Sequence, residues 1–136
     1  MTADSLQAII ARSPFLSWLG LQVLQLEEDY VEVKATWREE WVANPTIGQT
    51  QGGILAALID FAADYALFAR LHRPVPTIDM RVDYHKLAKR GDLIAKGRVI
   101  KFGRQISVCE AQIVDADDAL IASGRGTFLT STPASS

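Results

Sequence analysis

Two carboxylates, Asp60 and Asp64, stand four residues apart in the stretch QGGILAALIDFAADYALFA, which is otherwise apolar nearly all the way round. Four residues is about one helical turn, so both acids occupy one face. Taking a carboxylate out of water is costly, and like charges one turn apart raise each other's pKa. Such a pair suits acid–base or nucleophilic chemistry in a polar cavity. The ordinary alternative is a solvent-exposed stripe. Against it, Ala56, Ala57 and Ala63 do not make a solvated surface, and small residues admit a backbone or a ligand closely.

The stretch begins with Gln51-Gly52-Gly53. A helix start presents unpaired N–H groups and the positive end of the helix dipole, and glycine lets a ligand approach them. Such a start can polarise a carbonyl and stabilise an oxyanion. A tight turn accounts for the two glycines by themselves equally well. Asp60 lies about 12 Å further along the axis at the usual helical rise, too far for one chain to bring both groups to one carbonyl. Two antiparallel helices from two chains would do so, one giving its N-terminus and the other its Asp60.

Positioning these groups requires a helix from Gly52 to Leu71, where Arg70, His72 and Arg73 suit a C-terminal end and Pro74 prevents continuation. Upstream, Asp4 or Ser5 caps a first helix running to Arg12, and a short turn follows at Phe15–Leu19. The pattern then predicts a hairpin, Leu21–Leu26 and Val31–Trp37, about the acidic turn Glu27-Glu28-Asp29. REEWVANPTIGQTQGG reads as a long loop, a length at which loops are often functional. After Pro76 the chain reads as four strands in meander. The first has Ile78, Met80, Val82 and Tyr84 on one face. One apolar helix and about six antiparallel strands give an α+β class. A curved sheet covers only one flank of that helix, and a second subunit is the economical cover for the rest.

The 136 residues suit one domain, 1–136, with 1–19 a helical segment and 131–136 a frayed polar tail. A net charge of −2 argues against a nucleic-acid binder driven by bulk charge. The single cysteine, Cys109, excludes an intrachain disulfide and a thiolate zinc site, reads as core filling, and fits a cytoplasmic location. No metal site is expected. Neither is a signal peptide or a membrane span, since no apolar run approaches the ~18 residues a span needs.

Gln51-Gly52-Gly53 followed by Asp60, then TIDMRVDY from Thr77 to Tyr84, resembles the hotdog-fold acyl-CoA thioesterases of the phenylacetate-degradation (PaaI-like) type. Gly91-Asp92, Gly97-Arg98-Val99, Gly103-Arg104 and Ala122-Ser123-Gly124 with Thr127-Phe128 match that family's strand pattern. The resemblance implies a long central helix wrapped by a curved antiparallel sheet. It also implies a homodimer, by extension a dimer of dimers, with the site between protomers. The reaction implied is hydrolysis of a CoA thioester without a cofactor, coenzyme A being part of the substrate.

By position, the resemblance makes Asp60 the general base or nucleophile and the Gly52 N–H the carbonyl polariser. Asn44 and Thr77 are the nearest matches to the family's loop Asn and strand Ser or Thr. Gly53 belongs to the turn that receives the substrate. Where the family has His this chain has Gln51, which cannot titrate but whose amide can still donate to a thioester oxygen. Asp64, where many relatives carry a small residue, is expected to touch the acyl group, hold water or raise the pKa of Asp60. Ile54, Leu58 and Phe61 are expected to line the acyl pocket. Lys89, Arg90 and Arg104 suit the phosphates of coenzyme A, ordinary solvation being the other account of each. Gln51 in place of His keeps a second function open, a non-catalytic acyl-CoA-binding or sensing protein. A hydratase fits less well, since neither His72 nor His85 is placed for an acid–His pair.

Overall fold

Thr2 opens the first element of the computed structural model, which describes residues 2–131. Its hydroxyl accepts from Ser5 N–H while the Ser5 hydroxyl accepts from Thr2 N–H, so the cap of α1 (Ala3–Arg12) falls on Thr2 rather than on Asp4 or Ser5. Ser13 caps the short α2 (Pro14–Trp18), with proline at its first position. The expected hairpin follows as β1 (Leu21–Glu27) and β2 (Tyr30–Ala35). The segment expected to be a long loop instead holds a 3-10 turn at Glu39–Trp41 and a small ribbon, β3 (Val42–Asn44) with β4 (Gln49–Thr50).

The central helix, α3 (Gly52–Tyr65), stops six residues short of Leu71. A turn at Ala66-Leu67 leads into α4 (Phe68–Leu71), which His72 ends in the left-handed conformation, φ 60°. Then come β5 (Thr77–Tyr84), β6 (Leu93–Lys101), β7 (Ile106–Val114) and β8 (Leu120–Leu129). All six long strands join one antiparallel sheet in the order β1-β2-β6-β7-β8-β5. Only β6, β7 and β8 form a meander. β2 already occupies the free side of β6, so β5 crosses to the far edge and pairs with β8.

The sheet curls around α3, burying Leu55, Leu58, Ile59, Phe61, Ala62 and Ala63. A Cβ at Gly97 would run into the Ala62 carbonyl oxygen, so glycine there lets the helix backbone lie directly on β6. This is the hotdog architecture within the α+β class. The two sheet edges differ. The Gln7 amide donates to Leu21 O (2.9 Å) and accepts from Val23 N–H (2.8 Å), which blocks the β1 edge. The outer edge of β5 has no strand beside it among the described residues. No helix among them is long and apolar enough to cross a membrane. The tail expected over 131–136 falls, beyond Ser131, outside the described residues.

Candidate active site

Gln51 enters α3 with extended backbone (φ −62°, ψ 137°), tethered by its N–H to Trp41 O (2.8 Å), while Thr50 N–H bonds Ala88 O (2.9 Å). Its side-chain Oε1 accepts from Ile54 N–H at 3.2 Å and caps the helix. Because an N–H must meet an oxygen, the amide orientation is fixed and Nε2 is left as the free donor. Gly53 permits this: a Cβ there would stand 2.6 Å from Oε1. Gly52 occupies the first helical position, where the N–H has no intrahelical acceptor. Its carbonyl accepts from the Tyr84 hydroxyl at 2.9 Å, and the tyrosine ring packs across Gly52. Tyr84 had no expected site role, although its in-phase position with Met80 and Val82 put it on the helix side of β5.

One face of α3 turns away from the sheet, with Ala56, Ala57, Asp60 and Asp64 all half-buried. Ala63, expected on this stripe, is instead fully buried. Leu58 and Phe61, expected in an acyl pocket, are core residues; Ile54 is half-buried. Asp60 Oδ1 accepts from Thr77 Oγ1 at 2.7 Å. That contact depends on a register shift between Thr77 and Asp79 in the pairing of β5 with β8. Strict alternation would put Thr77 on the outer face with Asp79 and Arg81. The extra residue, Ile78, is left 52% exposed, and Thr77 turns toward the helix.

Asp64 Oδ1 accepts from Val75 N–H at 3.1 Å. Burial pushes its carboxyl up to about 7; the Val75 hydrogen bond pulls the other way, and the charge of Asp60 one turn earlier adds to the rise. Asn44 is exposed and serves its own ribbon: Oδ1 accepts from Thr46 N–H, and its carbonyl from the N–H groups of Ile47 and Gly48.

The basic residues separate into two groups. Arg90 lies across Gly48 and pairs with Glu39 at 3.1 Å, close to the Gly52 end of the molecule; Lys89 beside it is exposed. Arg104 is exposed in the turn between β6 and β7. The length of β6, about 26 Å from first to last residue at strand rise, separates Arg104 from Lys89 and Arg90 within one chain. His85 pairs with the Ser123 hydroxyl (2.8 Å), and His72 ends α4. An open groove lined by Gln49, Thr50, Leu55, Tyr84, Lys86 and Leu87 runs beside the helix start. A second hollow, among Tyr30, Lys96, Arg98 and Glu110, contains none of these groups, and its Arg98 is bonded to Glu110.

A family model described as the thioesterase superfamily matches residues 48–122. A presumed esterase of Halobacterium salinarum is 34% identical, over 93% of this chain and 90% of its own. A Salmonella typhimurium protein named medium/long-chain acyl-CoA thioesterase YigI is 24% identical, over 90% of this chain and 89% of its own. Among solved structures, a thioesterase-superfamily protein superposes with a TM-score of 0.90 at 45% identity, covering 93% of this chain and 96% of its own. The E. coli PaaI protein of the phenylacetic acid degradation operon shares the fold, with a TM-score of 0.83 at 22% identity over 93% of this chain and 90% of its own.

Proposed function

The chain belongs to the thioesterase superfamily and is a thioester hydrolase; from that premise we propose that it hydrolyses acyl-CoA at a site shared by two copies of itself. The observation carrying this reading is the Asp60 carboxylate, held by Thr77 on the face of α3 that the sheet leaves uncovered. Thr77 occupies Oδ1, which leaves Oδ2 to accept a proton from water. The thioester carbonyl rests on the Gly52 N–H of the other copy, assisted by Gln51 Nε2. Asp60 takes a proton as the water oxygen bonds to the carbonyl carbon. The tetrahedral intermediate collapses, the C–S bond breaks, and coenzyme A leaves as the thiolate and is protonated. Direct attack by Asp60 to form a mixed anhydride is the nucleophilic variant.

Sharing the site follows from helical length, since one chain holds the two groups about 12 Å apart along α3. The blocked β1 edge and the open β5 edge support pairing through β5. Antiparallel pairing would also bring Arg104 of one copy toward Lys89 and Arg90 of the other, a basic rim suited to the phosphates of coenzyme A. Two such dimers would pack as a tetramer, and the cytoplasm is the compartment this reading takes. The name of the Salmonella relative extends the substrate class to medium and long acyl chains. Asn44, bonded within its own ribbon, would reach substrate only from the rim.

Free-thiol detection with a panel of acyl-CoA esters tests the reaction. Asp60→Ala is expected to abolish thiol release and keep the fold, while Asp60→Asn still binds the ester. Hydrolysis by Asp60→Ala at the wild-type rate removes Asp60 from the mechanism. Ester binding without any thiol release by the wild type establishes the alternative, an acyl-CoA-binding protein, which the replacement of His by Gln51 favours.

A further inference from the structure

Asp60 and Asp64 sit one turn apart on α3, yet their carboxylates make different contacts. Asp60 accepts from a side chain, Thr77 Oγ1, at 2.7 Å; Asp64 accepts from a main-chain group, Val75 N–H, at 3.1 Å. The two partners are themselves neighbours, separated only by Pro76. A short closed circuit results: Asp60, one helical turn to Asp64, across to Val75, then through Pro76 to Thr77 and back to Asp60. Val75 is buried at 4% exposure and lies between Pro74 and Pro76, so its segment has little torsional freedom. Pro76 O accepts from Leu129 N–H (2.9 Å), where β5 begins its pairing with β8. The register shift that turns Thr77 toward the helix comes immediately afterwards.

We infer that Asp64 is a positioning residue: by holding Val75 N–H it fixes the start of β5 and so aims the Thr77 hydroxyl at Asp60. This rests on Asp60 acting as proposed above. It stands in place of the three roles expected for Asp64: touching the acyl group, holding water or raising the pKa of Asp60. A helix acid in an apolar setting is costly, and the contact explains its presence, because without an acceptor the Val75 N–H would be buried and unpaired. The contact requires an oxygen at that place and not a charge. A neutral amide would serve, and an apolar side chain of similar shape would not.

The test compares Asp64→Asn with Asp64→Leu in the full chain, using acyl-CoA hydrolysis with Asp60→Ala as the reference for a dead site. Asp64→Leu removes a costly half-buried carboxylate and fills its volume, and is expected to fold; thermal melting checks this. If Asp64 works through Val75, Asp64→Leu lowers kcat at least tenfold with KM within twofold of wild type, and Asp64→Asn restores kcat to within threefold. In a Thr77→Ala background, Asp64→Leu then costs nothing further in kcat, since the hydroxyl it aims is gone. Wild-type kcat in folded Asp64→Leu, equal losses for Asn and Leu, or full additivity with Thr77→Ala would each overturn the inference. Because Asp60→Ala is read alongside, an active Asp60→Ala marks failure of the mechanism. A dead Asp60→Ala beside an unimpaired Asp64→Leu marks failure of the Asp64 role alone.

Discussion

Gln51 caps α3 with Oε1, and the proposed mechanism gives its free Nε2 a second task, donating to the thioester oxygen. The two tasks are separable. Gln51→Ala loses both, costing about 0.5–2 kcal/mol of stability for the cap and about 1–3 kcal/mol of transition-state stabilisation for the donor. Gln51→Ser keeps a capping oxygen, so melting temperature returns toward wild type while kcat/KM stays low. Recovery of both by Ser would deny the amide a catalytic part. Asp64 gives a stability effect with a definite sign. Its carboxyl sits at about 7 in the fold, against an ordinary value of 3.8, because burial disfavours its charge. Folding therefore favours the neutral form. The favourable contribution is whole below the unfolded value and is lost as pH rises through the folded one. Asp64→Asn cannot titrate and retains an acceptor for Val75. Its melting temperature, measured relative to wild type, should climb from pH 4 to pH 8; a flat difference would mean that the carboxyl is not shifted.

The close seat of α3 on β6 depends on one missing side chain beneath it. At Gly97 the Ala62 carbonyl oxygen fills the space a Cβ would take. Gly97→Ala should push the helix off β6 and destabilise the fold by about 1–3 kcal/mol, read as a lower melting temperature. An unchanged melting temperature would show that the helix can shift without cost. Gly91 makes the useful contrast: a Cβ there meets no neighbour, but the backbone stands at φ 144°. A substitution at Gly91 is penalised through the turn, whereas one at Gly97 is penalised through packing. The bulge in β5 is the other decisive element, since a single extra residue chooses whether Thr77 meets Asp60 or solvent.

For the whole molecule, a shared site makes a prediction no single-chain site can imitate. Gly52→Pro deletes the proposed donor at the first helical position, where proline is tolerated, and the extended backbone of Gln51 accommodates a following proline. Gly52→Pro and Asp60→Ala should each be inactive alone. Co-folded in equal amounts, they should recover about a quarter of the wild-type rate, because random pairing makes half the dimers mixed and each mixed dimer has one intact site. No recovery from verified mixed dimers would place both groups' work within one chain.

Patterns of type and spacing were enough for the local elements. The long apolar run of α3, the alternation of β2 and the glycine and proline punctuation announced an α+β chain, and the acid at position 60 after a Gly-Gly turn marked the place where chemistry is proposed. Those features are set by neighbours a few residues away. Contacts between distant segments had to be seen. The β5 bulge, the crossing of β5 to the far edge, the Tyr84 hydroxyl on Gly52 and the Asp64 bond to Val75 all join segments whose pairing no local propensity encodes. Ala63, Leu58 and Phe61 show the same limit, since which flank of an almost wholly apolar helix meets the sheet depends on where the sheet offers glycine and alanine to receive it.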